Sequence, residues 1–179
     1  MSYPALPISL YVTNRDVVLV GDGPSADRRA ARLAAAGARV IRVDAGAFDA
    51  NACRGARAVI VQIEPAPPNV EAIRDAARDA GALCYVADRP DLSDFAMPGI
   101  AERGPIKLAI SSDAIAPALT RRLREQLERL LDDAGDRLDA LVALLASARA
   151  SLPREGRAAA LYAIASRLRI GGAIEIDDD

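Results

Sequence analysis

Apolar residues come in short, evenly spaced runs through the first 112 residues. Residues 16–20 (DVVLV), 39–43 (RVIRV), 58–62 (AVIVQ), 83–87 (LCYVA) and 106–111 (IKLAIS) are rich in β-branched side chains and bounded by Gly, Asp or Pro. Each predicts a strand, and an earlier run at 8–13 (SLYVTN) predicts one more. The runs at 16–20 and 58–62 are almost wholly apolar, as expected of central parallel strands covered on both faces. Between them, residues 24–36 predict a helix with arginines on its outer side, closed by Gly37. Residues 69–80 predict a second, set off by Pro65, Pro67 and Pro68 and stopped by Gly81.

Strands alternating with helices at this spacing predict a right-handed parallel α/β sheet. Beyond Ser112 the rhythm changes. From Pro117 the chain predicts a long amphipathic helix broken at Gly135, more helix to about residue 150, and a last helix after Pro153 to about Ile170. Leu127, Leu130, Leu131, Leu138, Leu141, Leu144 and Leu145 form its apolar stripe. The fold class is therefore α/β: a Rossmann-like parallel sheet over 1–112, followed by an all-helical extension over 113–179.

Composition narrows the chemistry. Lys and Arg number 23 against 25 Asp and Glu, and aromatics are only 3% with no Trp. No basic surplus and no stacking platform argue against nucleic acid as a partner. No apolar run reaches the roughly 18 residues of a membrane span and no signal peptide opens the chain, so a soluble cytoplasmic protein is expected. Histidine is absent, which excludes His triads, His bases and His-ligated metals. Proton transfer then falls to a carboxylate, a tyrosine, a cysteine, the sole lysine Lys107 or water. Cys84 sits in an apolar strand and reads as a core residue; Cys53 sits in a polar turn without a CxxC partner, and no metal site is expected.

The segment Gly21-x-Gly23-x-x-Ala26 follows a strand and opens a helix, the context a dinucleotide-binding turn requires. The first glycine permits the tight turn, the second lets a pyrophosphate approach the backbone, and the small third residue lets helix and strand pack closely. Asp44 ends the next strand 23 residues after Gly21, where a carboxylate meets ribose hydroxyls and favours NAD over NADP, with Arg42 acting against that preference. Candidate cofactor residues are Gly21, Gly23, Pro24, Ser25, Asp44 and Ala45. Asp88 ends the fourth strand on the sheet edge where ligands collect; composition alone allows a helix cap, a solvated loop acid or a catalyst. Residues 95–98 (FAMP) and 103–105 (RGP) read as a rigid loop. Ser111, Ser112 and Asp113 then lead into the long helix, either as ordinary caps or as an anion site, with Arg121, Arg122 and Arg124 one turn on.

These residues carry a resemblance. Arg15-Asp16 before Val17–Val20, Gly21-x-Gly23-x-x-Ala26-x-Arg28-Arg29, Ala36-Gly37-Ala38 and Asn69 upstream of Asp88 all belong to its pattern. The most specific block is Phe95-x-Met97-Pro98-x-Ile100-x-x-Arg103-x-Pro105, then Ser111-Ser112, Pro117 and Leu123-Arg124-Glu125-x-Leu127-Glu128. From about residue 4 to 133 the chain resembles the precorrin-2 dehydrogenase / sirohydrochlorin ferrochelatase family, the siroheme-synthase module found alone or fused to a methyltransferase.

The resemblance implies an NAD-binding Rossmann domain, a helical region that builds a homodimer, and NAD-dependent dehydrogenation of precorrin-2 to sirohydrochlorin. In some members ferrous iron follows as a substrate. It places Asp88 on the catalytic aspartate and Ser112 beside the substrate, with Arg121 and Arg124 facing substrate carboxylates. Two segments depart from the family. Asp113-Ala114-Ile115-Ala116-Pro117 stands where many members carry a glycine pair and a serine before the proline. Gln62-Ile63-Glu64-Pro65-Ala66-Pro67-Pro68 stands where a Thr-Asp-rich turn near the cofactor is usual. The alternative they motivate is a homologue that binds a tetrapyrrole or nucleotide without turnover.

Overall fold

The structure, a computed structural model, describes residues 4–171. Four strands, β1 (Asp16–Val20), β2 (Arg39–Val43), β3 (Ala58–Val61) and β4 (Leu83–Val86), form one sheet in the order β2-β1-β3-β4. All three pairings are parallel, with Val18 opposite both Ile41 and Val59 and Ile60 opposite Tyr85. Helices α1 (Gly23–Ala35) and α2 (Val70–Asp79) supply the first and third crossovers.

Alternation along the strands sends side chains to two cores. Val18, Val20, Val59, Val61, Cys84 and Val86 pack with Val70, Ile73 and Ala77 of α2. Val17, Leu19, Ala58 and Ile60 pack on the other face with Ala26, Ala30 and Leu33 of α1. Covered on both sides, β1 and β3 are buried almost throughout, which is why they read as unbroken apolar runs. The fold expected for this half, a Rossmann-like parallel sheet, is the one found.

Among the described residues, 4–98 with 113–115 form one compact unit, and 99–112 with 116–171 form another. In the second unit, β5 (Gly99–Arg103) and β6 (Ile106–Ile110) make an antiparallel hairpin with Arg103 opposite Ile106. Its two-residue turn is Gly104-Pro105: Gly104 takes φ 54°, and proline holds the negative φ that a type II′ turn needs next. The run at 106–111 is thus a strand, but not a fifth strand of the parallel sheet, and the stretch read as a loop up to Arg103 contains its partner. The hairpin packs Ala101, Ile106 and Leu108 on Leu127, Leu131 and Leu138 of α3 (Pro117–Ser151).

Helix α3 is interrupted at Gly135 (φ 49°, ψ −139°), where the sequence predicts a break. Arg103 reaches across that break, bonding Asp139 at 2.7 Å and lying 3.6 Å and 3.9 Å from Asp132 and Asp136. A final helix, α4 (Arg157–Ala165), stops five residues short of the expected Ile170. Residues 8–13 form no strand: Val12 is buried beside Val17 and Leu19, but the segment joins no ladder. Cys53, read as part of a polar turn, is fully buried in the α2-side core.

Candidate functional site

Because every strand of the sheet is parallel, all four C-terminal ends open on one edge. The chain leaves β1 toward β2 on one side and places β3 on the other, so the switch point lies between β1 and β3. There the glycine turn meets the end of β3. Gly21 takes φ 132°, and a Cβ on it would stand 2.6 Å from the Gln62 carbonyl oxygen and 2.8 Å from Ile63 Cγ1. Only glycine fits so close an approach. Gly23 (φ 76°) differs, since a Cβ there would meet nothing within 4 Å. Its neighbours Asp22, Pro24 and Ser25 line, with Gln62, Ile63 and Glu64, an open cleft of about 230 Å³.

Helix α1 starts in this cleft with no side-chain cap, so its first-turn amides have no intrahelical acceptor. Open space over Gly23, free amides and the positive end of the helix suit a pyrophosphate. Of the expected cofactor residues, Pro24 and Ser25 line the cleft and Gly21 and Gly23 shape it.

Asp44 lies at the same sheet edge, at the end of β2. Its Oδ1 accepts from the Gly46 amide at 2.7 Å and caps a short 3-10 turn at 45–47. Ala45 contributes its carbonyl to Asn69 Nδ2 at 2.8 Å, tying this loop to the start of α2. Arg42 pairs with the exposed Asp27 and bonds the Gly21 carbonyl at 3.2 Å, beside the glycine turn.

At the end of β4, Asp88 is exposed, holds a left-handed backbone (φ 56°) rare outside glycine, and accepts no hydrogen bond among the described residues. Such conformations cost of order 1–3 kcal/mol and cluster at functional sites. Tyr85, three residues earlier, is half-buried with Arg29 above its ring at 5.8 Å and Phe95 at 5.6 Å. Burial pushes the Tyr85 phenol up; Arg29 opposes this, while Asp88 and Glu64 add to it. The phenol therefore stays protonated at neutral pH. The Cys84 thiol, pushed up to about 11 chiefly by burial, is likewise protonated and is no nucleophile.

Ser112, Arg121 and Arg124 belong to the second unit. Ser112 Oγ accepts from the Ala116 amide at 3.2 Å and bonds the Thr120 hydroxyl at 2.8 Å, bracing the entry to α3. Arg121 pairs with Glu125 at 3.1 Å, and Arg124 with Glu128 at 2.5 Å, both one turn along the helix. Asp113 (φ 48°) and Ala114 (φ 63°) hold left-handed backbones in the segment that departs from the resembled pattern. Among the described residues, no three acidic or cysteine side chains cluster as metal ligands would.

Residues 8–99 match the family described as "Putative NAD(P)-binding". The chain belongs to that family. It is 33% identical to the siroheme synthase of Citrobacter koseri and 32% identical to that of Salmonella typhimurium, in each case over 70% of this chain and 32% of the relative. It thus spans about a third of the length of these curated relatives. A solved structure titled "SirC, precorrin-2 dehydrogenase" has the same fold, with a TM-score of 0.66 at 19% identity over 89% of both chains. These likenesses bear out the resemblance carried by the motifs.

In this NAD(P)-binding fold, the residues missing from the sequence-based site are Asp22, Gln62, Ile63 and Glu64 of the cleft, and Arg29. Gln62, Ile63 and Glu64 were legible as the end of a buried strand, and the switch-point rule puts such ends at the ligand. Arg29 carried no such signal. It was expected on the outer side of α1 with Arg28 and Arg32, yet it turns inward, bonding Gln62 Oε1 at 3.2 Å and Met97 Sδ at 2.9 Å.

Proposed function

We propose that this protein is an NAD-dependent dehydrogenase that converts precorrin-2 to sirohydrochlorin in siroheme biosynthesis. The observation that carries the reading is Asp88: an exposed carboxylate on left-handed backbone, with no hydrogen-bond donor to it among the described residues, at the same sheet edge as the glycine-turn cleft. The siroheme synthase relatives and the precorrin-2 dehydrogenase fold support it.

In this reading Gly21 and Gly23 admit the pyrophosphate, Pro24 and Ser25 line it, and Asp44 with Ala45 meets the adenosine ribose. Asp44 Oδ2, the oxygen not bonded to the Gly46 amide, accepts from ribose hydroxyls and disfavours a 2′-phosphate, so NAD is preferred to NADP. Bound NAD supplies a hydride acceptor. Asp88 takes up the proton that the tetrapyrrole loses as its hydride departs, so charge and atoms balance. Ser112, Arg121 and Arg124 serve the substrate's many carboxylates, the arginines exchanging their helical glutamate partners for bidentate ligand contacts.

The enzyme acts in the cytoplasm as a homodimer built by the helical unit, whose Leu119, Leu130, Leu144 and Tyr162 are exposed. Ferrous iron, where inserted, is a second substrate, with Asp88 helping to strip pyrrole protons.

The test is anaerobic incubation with precorrin-2 and NAD while the sirohydrochlorin spectrum is followed. Growth of that spectrum, lowered about 10²–10⁴-fold in Asp88→Asn with NAD affinity intact, is expected. Near-normal turnover in Asp88→Asn would remove the catalytic assignment. A flat trace in the unaltered protein with NAD bound would favour a binding protein instead. Adding ferrous iron to the product then tests chelation.

A further inference from the structure

Gln62 is the one polar residue buried among the described side chains, at 7% exposure, and it sits at the switch point. Its backbone amide bonds the Val20 carbonyl at 2.9 Å, extending the β1–β3 ladder by one rung, and its carbonyl is the atom against which Gly21 packs. The side chain is equally constrained. Oε1 accepts from Arg29 Nε at 3.2 Å, while that guanidinium is fixed by Met97 Sδ and the Tyr85 ring. A carboxamide whose oxygen is taken by a cation has its orientation decided, and the NH2 group becomes its free end. That NH2 has no acceptor among the described residues, yet no fully buried side-chain polar atom among them lacks a partner. The NH2 therefore reaches the solvent, and Gln62 lines the cleft.

We infer that Gln62 is a cofactor-binding residue, donating its NH2 to an oxygen on the ribose–phosphate backbone of the dinucleotide. Arg29 is the positioning residue that holds the carboxamide in its donating orientation. The inference rests on the cofactor reading above and deepens it. Arg29 does not touch the cofactor. It stays cationic although burial pulls it below its ordinary value. A glutamine presented this way replaces the Thr-Asp-rich turn usual in the resembled family by a neutral donor.

Calorimetric titration of the full chain with NAD tests this. Gln62→Glu keeps the shape and keeps Arg29 satisfied, so the fold is retained, but it exchanges the donor for a negative acceptor; affinity is expected to fall at least about tenfold. Gln62→Met is expected to lose a similar factor and Arg29→Met about fivefold. Because Arg29 acts through Gln62, the double variant should bind no more weakly than Gln62→Met alone. A Gln62→Glu protein binding NAD within twofold of the unaltered chain would overturn the inference. Additive losses in the double variant would overturn the role of Arg29, leaving it a packing residue. Failure of the unaltered chain to bind NAD would sink the cofactor reading itself, a distinct result.

Discussion

The two compact units are built on opposite terms. The sheet unit closes both faces with its own helices, so Val17, Val18, Leu19, Val20, Val59 and Val61 have no exposure at all. In the second unit, the described core comes down to Ala101, Leu131 and Leu138, with partly buried neighbours. Its helices leave Leu119, Leu130 and Leu144 open, at 56%, 39% and 43% exposure. The first unit carries its stability within one chain. The second carries apolar surface of the kind a second copy covers, which is why the proposed homodimer is built on it.

The sharpest way to separate binding from stability within the sheet unit is Gly23→Asp. A Cβ there meets nothing, and the left-handed φ of 76° should cost an aspartate no more than the about 1–3 kcal/mol already accepted at Asp88, so the protein should fold; its carboxylate would occupy the pyrophosphate space, and NAD binding by calorimetry should vanish. Next, Ile60→Ala in the sheet should cost about 2–5 kcal/mol in urea denaturation. Leu144→Ala should cost well under 1 kcal/mol in the monomer but weaken self-association in sedimentation equilibrium. Equal costs would erase the contrast between the units.

A smaller test uses acid. Asp94 accepts from the Cys84 amide at 2.9 Å and from Arg78 at 2.7 Å. Partial burial works to raise its carboxyl, but the Arg78 and Cys84 hydrogen bonds outweigh burial and hold it below the ordinary value. Its contribution is therefore present above the unfolded pKa of about 3.9 and is lost as pH falls through the lower folded value. Asp94→Asn should cost about 1 kcal/mol at neutral pH, and the gap should close below about pH 4. Asp139→Asn, in the exposed Arg103 cluster of the second unit, should cost less at neutral pH. Smallest of all, Ala114→Gly should relieve a left-handed residue and raise the melting midpoint slightly, by less than about 1 kcal/mol of stability.

The sheet was legible because doubly covered strands have no polar face to confuse the pattern; β1 to β4 fall within a residue of their expected bounds. The hairpin was half legible. Its second strand alternates cleanly, but its first (GIAER) starts with glycine, ends in two charges and lies between prolines, so it read as loop. The pairing becomes clear only once Gly104-Pro105 is recognised as a turn. Residues 8–13 erred the other way: an apolar β-branched run without a ladder to join stays coil. In the site, Gly21, Gly23 and Asp44 follow from position along the chain. The inward turn of Arg29 depends on Tyr85 and Met97, 56 and 68 residues away, and no local pattern encodes that.

Gly21 and Gly23 stand two residues apart in one motif, yet selection should treat them as different kinds of position. In a saturation library sorted only for folded protein, position 21 should admit glycine alone, because every side chain begins with a Cβ that strikes the Gln62 carbonyl. Position 23 should drift toward asparagine, aspartate and other residues at ease with positive φ. Sorted for cofactor capture, both should collapse to glycine. The difference between the two libraries would mark which of the glycines the fold requires and which only the ligand does.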